Sequence, residues 1–280
     1  MDNSYYIRNT NSKFLQIYGE DRSIFLQGLI TNDINKCQNI SSSIYSCLLS
    51  PQGKFIADFF IINLKDHYLI EINKKFFESF CSKLKIYKLR SKIEIKENKE
   101  LISLIYFSKE SLAFKKNTIY FKDPRKDTLG IKIYLDKSSD NLDLIEEIKE
   151  YKYEVYEKIL IKNLVPNTIN DLIENKSLLL ENNFQNLNAI DWNKGCYIGQ
   201  ELTARMKYRA LLKKRIYVLE LLSGNINLGE NIIIHNIVFG NVISKIDNYL
   251  LCMLKINLAE ENFINKNEVS INSQTKIKFL

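Results

Sequence analysis

The chain has 280 residues and carries 40 lysines and arginines against 33 aspartates and glutamates, a formal charge of +7. Hydrophobic residues make up 45% of the sequence and charged residues 26%, which is ordinary for a folded globular protein and argues against a disordered chain. The length suffices for two domains or three small ones. No run of eighteen apolar residues occurs, so we expect neither a transmembrane helix nor a membrane partner.

The first residues of the chain lack the charge and hydropathy patterns of a signal peptide or a transit peptide. We therefore expect a cytoplasmic protein. The cysteines are odd in number and scattered, without a Cys-x-x-Cys pair, which argues against a disulfide framework and against a dedicated zinc or cluster site within one chain. They are Cys37, Cys47, Cys81, Cys196 and Cys252.

The stretch from residue 14 to residue 33 predicts a short strand followed by a short helix. Gly19 turns the chain, Asp21 is a candidate helix cap, and the apolar residues that follow it recur at helical spacing. Taken alone, this pattern indicates only a capped amphipathic helix.

A β-hairpin is predicted next, because Ser-Pro-Gln-Gly at 50–53 favours a type I turn between two apolar, β-rich segments. Asp58 interrupts the second of these segments. A buried carboxylate without a partner is costly, so Asp58 should be paired, neutral or facing a cavity. The alternative is an aspartate on a strand edge that faces solvent.

The remaining elements follow from periodicity and turn residues. Between residues 73 and 150, a helix, several strands and a second helix follow one another, an order that resembles a ferredoxin-like unit. After residue 213, the predicted strands are short and regularly spaced, with no helices between them, which indicates a small β-barrel. The predicted helices cover about 73–90, 141–150 and 151–167, and the predicted strands cover 92–96, 101–107, 118–121, 130–135, 215–221, 231–235, 238–246, 250–255 and 275–279.

Residues 194–201 read Lys-Gly-Cys-Tyr-Ile-Gly-Gln-Glu, in a chain that has only nine glycines. The segment predicts a tight loop that leads into a helix. A helix N-terminus and the ammonium of Lys194 would both raise the thiolate fraction of Cys196. The alternative is a buried structural cysteine beside a turn.

This octapeptide resembles the signature of the YgfZ-type (CAF17-like) folate-binding proteins, which are implicated in iron–sulfur cluster maintenance and are related to the aminomethyltransferase, or T-protein, of glycine cleavage. The aminomethyltransferases generally lack the cysteine motif. The resemblance extends over essentially the whole chain, but it is specific only at 194–205 and moderate at 19–33 and 44–58.

The resemblance implies an α+β fold, a three-part aminomethyltransferase-like cloverleaf with folate in its central hole. Residues 1–45 and 151–210 would form a first, folate-binding domain. Residues 46–150 would form the ferredoxin-like second domain, and residues 211–280 the C-terminal β-barrel.

The resemblance also implies a binding site for tetrahydrofolate or a one-carbon derivative. In it, Tyr45, Asp58 and Glu181 would hold the pterin, although Glu181 could equally be a capping or solvent-exposed residue. Trp192 could line the pocket or belong to the core, and Arg205 would attract the glutamate tail. The family's Arg-Ile-x-x-Gly-x-Pro pattern is broken here by leucines at positions 160 and 164, so no role is assigned to its arginine.

Six cations and no carboxylate lie between residues 205 and 215. This basic run is either a solvated surface or an anion site beside the cysteine loop, suited to the glutamate tail of folate or to RNA phosphates. An RNA-binding module is the third functional hypothesis, and it lacks a recognisable RNA-binding motif.

The first functional hypothesis is a monomeric, folate-binding protein that assists the assembly or repair of iron–sulfur clusters in client enzymes, tRNA-modifying enzymes among them. Cys196 would do chemistry or contact a cluster transiently, with Lys194 and Glu201 tuning and orienting it. Iron–sulfur client or assembly proteins would be its partners. The second hypothesis is a tetrahydrofolate-dependent aminomethyl or one-carbon transferase, which fits Asp58 and leaves Cys196 without a role.

Overall fold

The structure is a computed structural model, and it describes residues 4–108, 118–138 and 148–280. Its strands are β1 Tyr5–Asn9, β2 Ser12–Tyr18, β3 Ser43–Leu49, β4 Phe55–Asn63, β5 His67–Asn73, β6 Glu94–Asn98, β7 Leu101–Phe107, β8 Ile119–Lys122, β9 Ile131–Asp136, β10 Lys149–Tyr151, β11 Lys214–Ser223, β12 Asn231–Ile234, β13 Ile237–Ile246, β14 Tyr249–Lys255, β15 Glu268–Ser270 and β16 Lys276–Phe279. Its helices are α1 Arg22–Gln27, α2 Phe77–Lys88, α3 Tyr153–Lys162, α4 Thr168–Asp171, α5 Gln200–Tyr208 and α6 Ile256–Ile264, with 3₁₀ turns at Ile34–Cys37 and Asp127–Leu129.

Two five-stranded sheets form the N-terminal part of the molecule. One has the order β3-β4-β5-β2-β6 and the other β10-β1-β7-β9-β8. The first two strands therefore belong to different sheets although only two residues separate them. Every residue of β4 is buried, which explains why that strand is a nearly continuous apolar run instead of an alternating one.

The third sheet is the curled C-terminal half-barrel, with the order β12-β13-β14-β11-β16-β15 and antiparallel pairing throughout. Its register shifts at three places, one of them between Val242 and Ser244. Such bulges bend a strand and increase its twist, so they curl the sheet. The α+β fold with a small C-terminal β-barrel is thus confirmed.

The largest apolar cluster joins the first two sheets with helices α1 to α3 and with the segment from Leu179 to Met206. The half-barrel has its own core, and Ile161 of α3 packs against the outer face of that barrel. This arrangement buries the hairpin β3–β4 in the centre of the molecule.

Several predicted elements differ in the structure. The prediction that no helix occurs after residue 213 is wrong, because α6 crosses the half-barrel. Most of the helix predicted at 141–150 falls outside the described residues, and its last residues begin the strand β10. Asp21 occupies the N-cap position of α1 as predicted, but its carboxylate accepts a hydrogen bond from the backbone N–H of Lys92 instead of one from the helix. The predicted domain boundary at residue 45 lies inside β3.

In the part of the chain that the structure describes, we find no helix long and apolar enough to cross a membrane.

Candidate functional site

The hairpin β3–β4 carries the first candidate pair. The hydroxyl of Tyr45 donates a hydrogen bond of 2.8 Å to Oδ2 of Asp58, and both side chains are buried. Burial raises the pKa of Asp58, while Tyr45, Thr168 and Arg125 act against that rise. Oδ1 of Asp58 is a buried acceptor without a hydrogen-bond partner among the described residues.

Asp58 borders a small cavity between the two N-terminal sheets and helices α3 and α4, with a volume of about 60 Å³. A water molecule needs roughly 10–15 Å³ of such space, so the cavity has room for a few waters. Its polar walls come mainly from outside the hairpin. They include Glu71, Arg125, Lys132, Tyr153, Tyr156 and Thr168.

Arg125 is the most strongly held cation of this cavity. Its guanidinium donates two hydrogen bonds to Asp123, of 3.0 and 2.7 Å, and a third of 2.7 Å to the hydroxyl of Tyr156. It also lies 5.2 Å from the ring centroid of Tyr45 and 5.0 Å from that of Phe60. The cation therefore holds the aromatic side chains around Asp58 in place, and the sequence analysis assigned it no role.

A second buried ion pair closes the other side of the cavity. The ammonium of Lys132 lies 2.5 Å from Oε2 of Glu71, and the hydroxyl of Tyr134 donates to the same oxygen at 2.7 Å. Burial raises the pKa of Glu71, but the charge of Lys132 and the surrounding donors outweigh burial and hold that pKa below its usual value. Since Glu71 and Lys132 belong to different sheets, this pair links the two sheets.

Asp171, at the end of α4, is buried just behind the cavity. Its Oδ2 accepts a hydrogen bond of 2.6 Å from the backbone N–H of Asn167, and its Oδ1 has no partner in the described ranges. Burial raises the pKa of this carboxyl to about 6. The folded protein thus binds one more proton than the unfolded chain between about pH 4 and 6, so stability falls as the pH rises through this range.

Asp171→Asn should therefore stabilise the protein at neutral pH. The amide keeps the oxygen acceptor and removes a charge that is costly to bury, so we expect the free energy of unfolding at pH 7 to rise by up to about 3 kcal/mol. The gain should shrink to near zero below about pH 4. Urea unfolding across pH 3.5–7.5 measures this, with the exposed Asp66→Asn as the control. A gain that is the same at every pH would contradict the prediction.

The loop 194–201 is anchored by its lysine. The ammonium of Lys194 is buried and donates three hydrogen bonds to backbone carbonyls, to Gln27 at 2.8 Å, to Ile30 at 2.6 Å and to Asn32 at 2.9 Å. Burial lowers the pKa of Lys194 to about 8. All three donors of the ammonium are used, so the expected tuning of Cys196 by this lysine does not match the geometry; Lys194 fixes the loop to the end of α1 instead.

The second glycine of the loop packs against the turn of the hairpin β3–β4. Gly199 has φ of +80°, and a Cβ there would lie 2.3 Å from the carbonyl oxygen of Ser50. Gly53 faces it, since a Cβ at Gly53 would lie 2.9 Å from the carbonyl oxygen of Gly199. The backbone N–H of Ile198 also bonds to the carbonyl of Gly28, at 3.1 Å. The three segments that carried the sequence resemblance thus meet at one place.

Cys196 is the exposed cysteine of the chain; Cys81 is half-buried and the other three are buried. The alternative of a buried structural cysteine is therefore wrong. Helix α5 begins only at Gln200, so the thiol lies outside the first turn, where the field of a helix N-terminus acts. The loop presents the thiol to solvent on a rigid support.

Tyr45 contacts Asp58 but does not itself line the Asp58 cavity, and three other predicted site residues lie away from it. The carboxylate of Glu181 lies 3.6 Å from the ammonium of Lys214, and burial raises its pKa. Trp192 has the ammonium of Lys207 at 3.8 Å from its ring centroid. Arg205 pairs with Glu201 at 2.8 Å on the exposed face of α5.

The basic run has a smaller net positive charge at the surface than its sequence indicates, because three of its six cations have an acidic partner. Arg205, Lys214 and Arg215 each pair with a glutamate. Tyr45 and Asp58 are thus the predicted pocket residues that the structure brings together. Over residues 4–108, 118–138 and 148–280, no group of three or more histidine, cysteine or acidic side chains is arranged to hold a metal ion.

Comparison with solved structures shows which fold the protein has. The structure superposes on the glycine cleavage system aminomethyltransferase T of Bartonella henselae with a TM-score of 0.78, covering 99% of this chain and 85% of that one, at 12% sequence identity. The protein therefore has the aminomethyltransferase fold.

Sequence comparison identifies the homologues more narrowly, as iron–sulfur cluster assembly factors IBA57. The chain is 27% identical over 246 residues to the Dictyostelium discoideum protein, 30% over 229 residues to the Neurospora crassa protein and 25% over 227 residues to the human protein. These alignments cover 72%, 74% and 72% of this chain but only 59%, 51% and 62% of the relatives. No family model matches the chain. The resemblance found in the sequence is confirmed.

The same relatives overturn the prediction of a cytoplasmic protein, because each of them is named as a mitochondrial protein. The prediction rested on the composition of the first residues, which carries less information than homology along most of the chain.

Proposed function

We propose that this protein assists the assembly of iron–sulfur clusters in mitochondria and that it binds a tetrahydrofolate in the Asp58 cavity. Homology to the IBA57 assembly factors supports the first part. The observation that carries the second part is the buried oxygen Oδ1 of Asp58, which lacks a partner among the described residues and borders the cavity.

The residues around this oxygen fit the chemistry of a reduced pterin. A pterin offers an amino group and ring N–H donors, which pair well with a carboxylate. Phe60, Tyr153 and Tyr156 supply aromatic surface, and Arg125 and Lys132 supply positive charge. The cavity volume of about 60 Å³ is smaller than a pterin, so lining side chains have to move when it binds. A bound tetrahydrofolate would supply a carrier for a one-carbon unit.

Asp58→Asn should weaken tetrahydrofolate binding by about ten- to a hundredfold, because a charge-assisted hydrogen bond is worth about 1.5–3 kcal/mol. Calorimetric titration of the purified protein measures the affinity. Glu181→Gln is the matched control: it also neutralises a carboxylate that the sequence assigned to the pterin, but one that does not border the cavity. We expect it to bind like the wild type. Equal loss in both variants, or no binding by folded wild type, would refute the folate site.

The second element of the proposed function is the thiol of Cys196. Thiolates are the ligands that iron–sulfur clusters use in proteins, and the exposed position of Cys196 gives a client protein direct access to it. The cluster would be cargo, held in passing. Tyr197 and Lys194, which flank this part of the loop, are both buried, so the thiol is held in place without being covered.

Cys196→Ser should abolish support of cluster-containing enzymes while leaving the free energy of unfolding within about 0.5 kcal/mol of wild type, as for other exposed sites. Complementation of cells that lack the endogenous protein, with aconitase activity as the readout, tests the first outcome, and urea unfolding tests the second. Cys81→Ser is the control, since that thiol is half-buried in α2. Full complementation by Cys196→Ser would refute this role.

A further inference from the structure

A second and larger cavity lies between residues of the segment 164–212 and the half-barrel. Its volume is about 400 Å³, within the range of small-molecule sites. None of its lining residues borders the Asp58 cavity. It is therefore a separate space with its own walls.

The walls are apolar with a few polar groups. The aliphatic and aromatic lining consists of Leu164, Leu180, Met206, Leu212, Ile216 and Phe263. The polar lining contains three side-chain amides and two cations, Lys207 and Arg215, but no carboxylate. This combination suits a ligand with an apolar body and a negative charge.

Arg215 gives an independent indication. Its Nη2 donates to both oxygens of Glu260, at 3.1 and 3.0 Å, whereas its Nε is buried and has no hydrogen-bond partner in the described part of the chain. A buried donor without an acceptor is costly. Arg215 lines the cavity, so a rotation of its side chain would bring this Nε to an anionic group bound there.

Lys207 provides the uncompensated charge. Its ammonium lies over the ring of Trp192, 3.8 Å from the centroid, and none of the ion pairs between described residues includes it. A cation on an aromatic face keeps its charge available for an anion approaching from the other side. Since Trp192 is the single tryptophan of the protein, its fluorescence reports on this cavity.

We propose that the cavity between the segment 164–212 and the half-barrel binds a small organic anion, a carboxylate or sulfonate on an aromatic or branched aliphatic body. Lys207 and the Nε of Arg215 bind the anionic group, and the leucines, Met206 and Phe263 bind the apolar body. This site is distinct from the proposed folate site and does not depend on it.

The test uses 8-anilinonaphthalene-1-sulfonate as the probe, on the full-length protein. We expect saturable binding of one dye per chain, with energy transfer from Trp192 to the dye. Lys207→Met should weaken the affinity at least about fivefold, measured by direct excitation of the dye because this variant alters Trp192 itself. Arg215→Lys, which keeps the charge but not the guanidinium Nε, should also weaken it.

The matched controls are Arg209→Met and Lys213→Met, which remove a cation from the same basic run at exposed positions outside the cavity lining. Both should bind the dye like the wild type. If they weaken the affinity for the dye as much as Lys207→Met does, the dye binds the basic surface and not the cavity, and the proposal fails. Absence of saturable binding or of energy transfer would also overturn it.

The benzoylglutamate part of a folate is also an organic anion on an aromatic body. Competition with a folate therefore tests whether the dye occupies this cavity or the proposed folate site. If 5-formyltetrahydrofolate leaves the dye bound, or displaces it equally well in wild type and in Asp58→Asn, the cavity is an organic-anion site in its own right. Displacement that is lost in Asp58→Asn would show that the dye occupies the folate site, and would overturn the proposal.

Discussion

Gly199→Ala is expected to destabilise the protein by at least about 3 kcal/mol, whereas Gly195→Ala should change its stability by less than about 0.5 kcal/mol. The two glycines flank the same tripeptide, but only Gly199 has a positive φ, of +80°. An added Cβ would lie 2.3 Å from the carbonyl oxygen of Ser50 and 2.8 Å from Cβ of Leu49, whereas an added Cβ at Gly195 would meet nothing within 4 Å.

Chemical denaturation of both variants measures this difference, and each serves as the control of the other. A methyl group at position 199 would meet backbone atoms of Ser50 and Gly53 and the Cβ of Leu49, the last residue of β3. None of these atoms can move without moving the backbone. Gly53→Ala should resemble Gly199→Ala, since that glycine also has a positive φ and closely approaches the facing loop. Equal stability of the Gly199 and Gly195 variants would show that the loop does not pack against the hairpin turn as described.

Lys194→Met is expected to lower the free energy of unfolding by about 3–5 kcal/mol, because it leaves three carbonyl oxygens without the donor that they share. Methionine preserves the length and apolar stem of the side chain, so the loss reports on the ammonium. The carbonyls belong to Gln27, Ile30 and Asn32, at the end of α1 and in the residues that directly follow it. Without the ammonium, the loop should separate from that junction.

The control is Lys36→Met. Lys36 pairs with Asp191, which precedes the same loop, at 2.7 Å, but more than half of its side chain is exposed, and exposed pairs contribute at most about 1 kcal/mol. Urea denaturation gives both stabilities, and hydrogen exchange of residues 190–200 should show faster opening in Lys194→Met only. If the two lysine variants lose the same stability, the buried ammonium is not the anchor of the loop.

These two anchors explain what the signature does in this fold. Lys194 binds the loop to the end of α1, and Gly199 binds it to the hairpin whose strands carry Tyr45 and Asp58. Between these two attachments the thiol of Cys196 is exposed. The motif thus attaches the loop that carries Cys196 to the hairpin that forms part of the wall of the Asp58 cavity. Lys194 and Gly199 make these attachments.

Local sequence was sufficient to predict the hairpin and to mark Asp58 as a carboxylate that needs a partner or a cavity. The turn at 50–53 fixes the register of β3 and β4, in which Cys47 lies opposite Asp58 and Tyr45 opposite Phe60. Tyr45 and Asp58 are then diagonal neighbours on one face, within reach of each other. The anomaly of a carboxylate in an apolar strand was correctly interpreted, because the cost of burying a charge is independent of the fold.

The partners of that pair could not be predicted in the same way. Arg125 and Thr168 come from a turn and a short helix far along the chain, and no periodicity links them to the hairpin. Glu181 was assigned to the pterin from a loose local match, but a local pattern does not determine which side of the molecule a loop faces. The structure places its carboxylate beside Lys214 instead.

The sequence by itself determined most of the strands and helices, the resemblance to the cluster-assembly proteins, the need of Asp58 for a partner and the importance of residues 194–201. Only the tertiary structure decided what each residue of that loop does. Lys194 binds backbone carbonyls, and a carbonyl is the same acceptor at every position, so no pattern of side chains marks it. The contact of Gly199 with the hairpin turn is likewise a distance between segments remote in sequence, which only the packed chain defines.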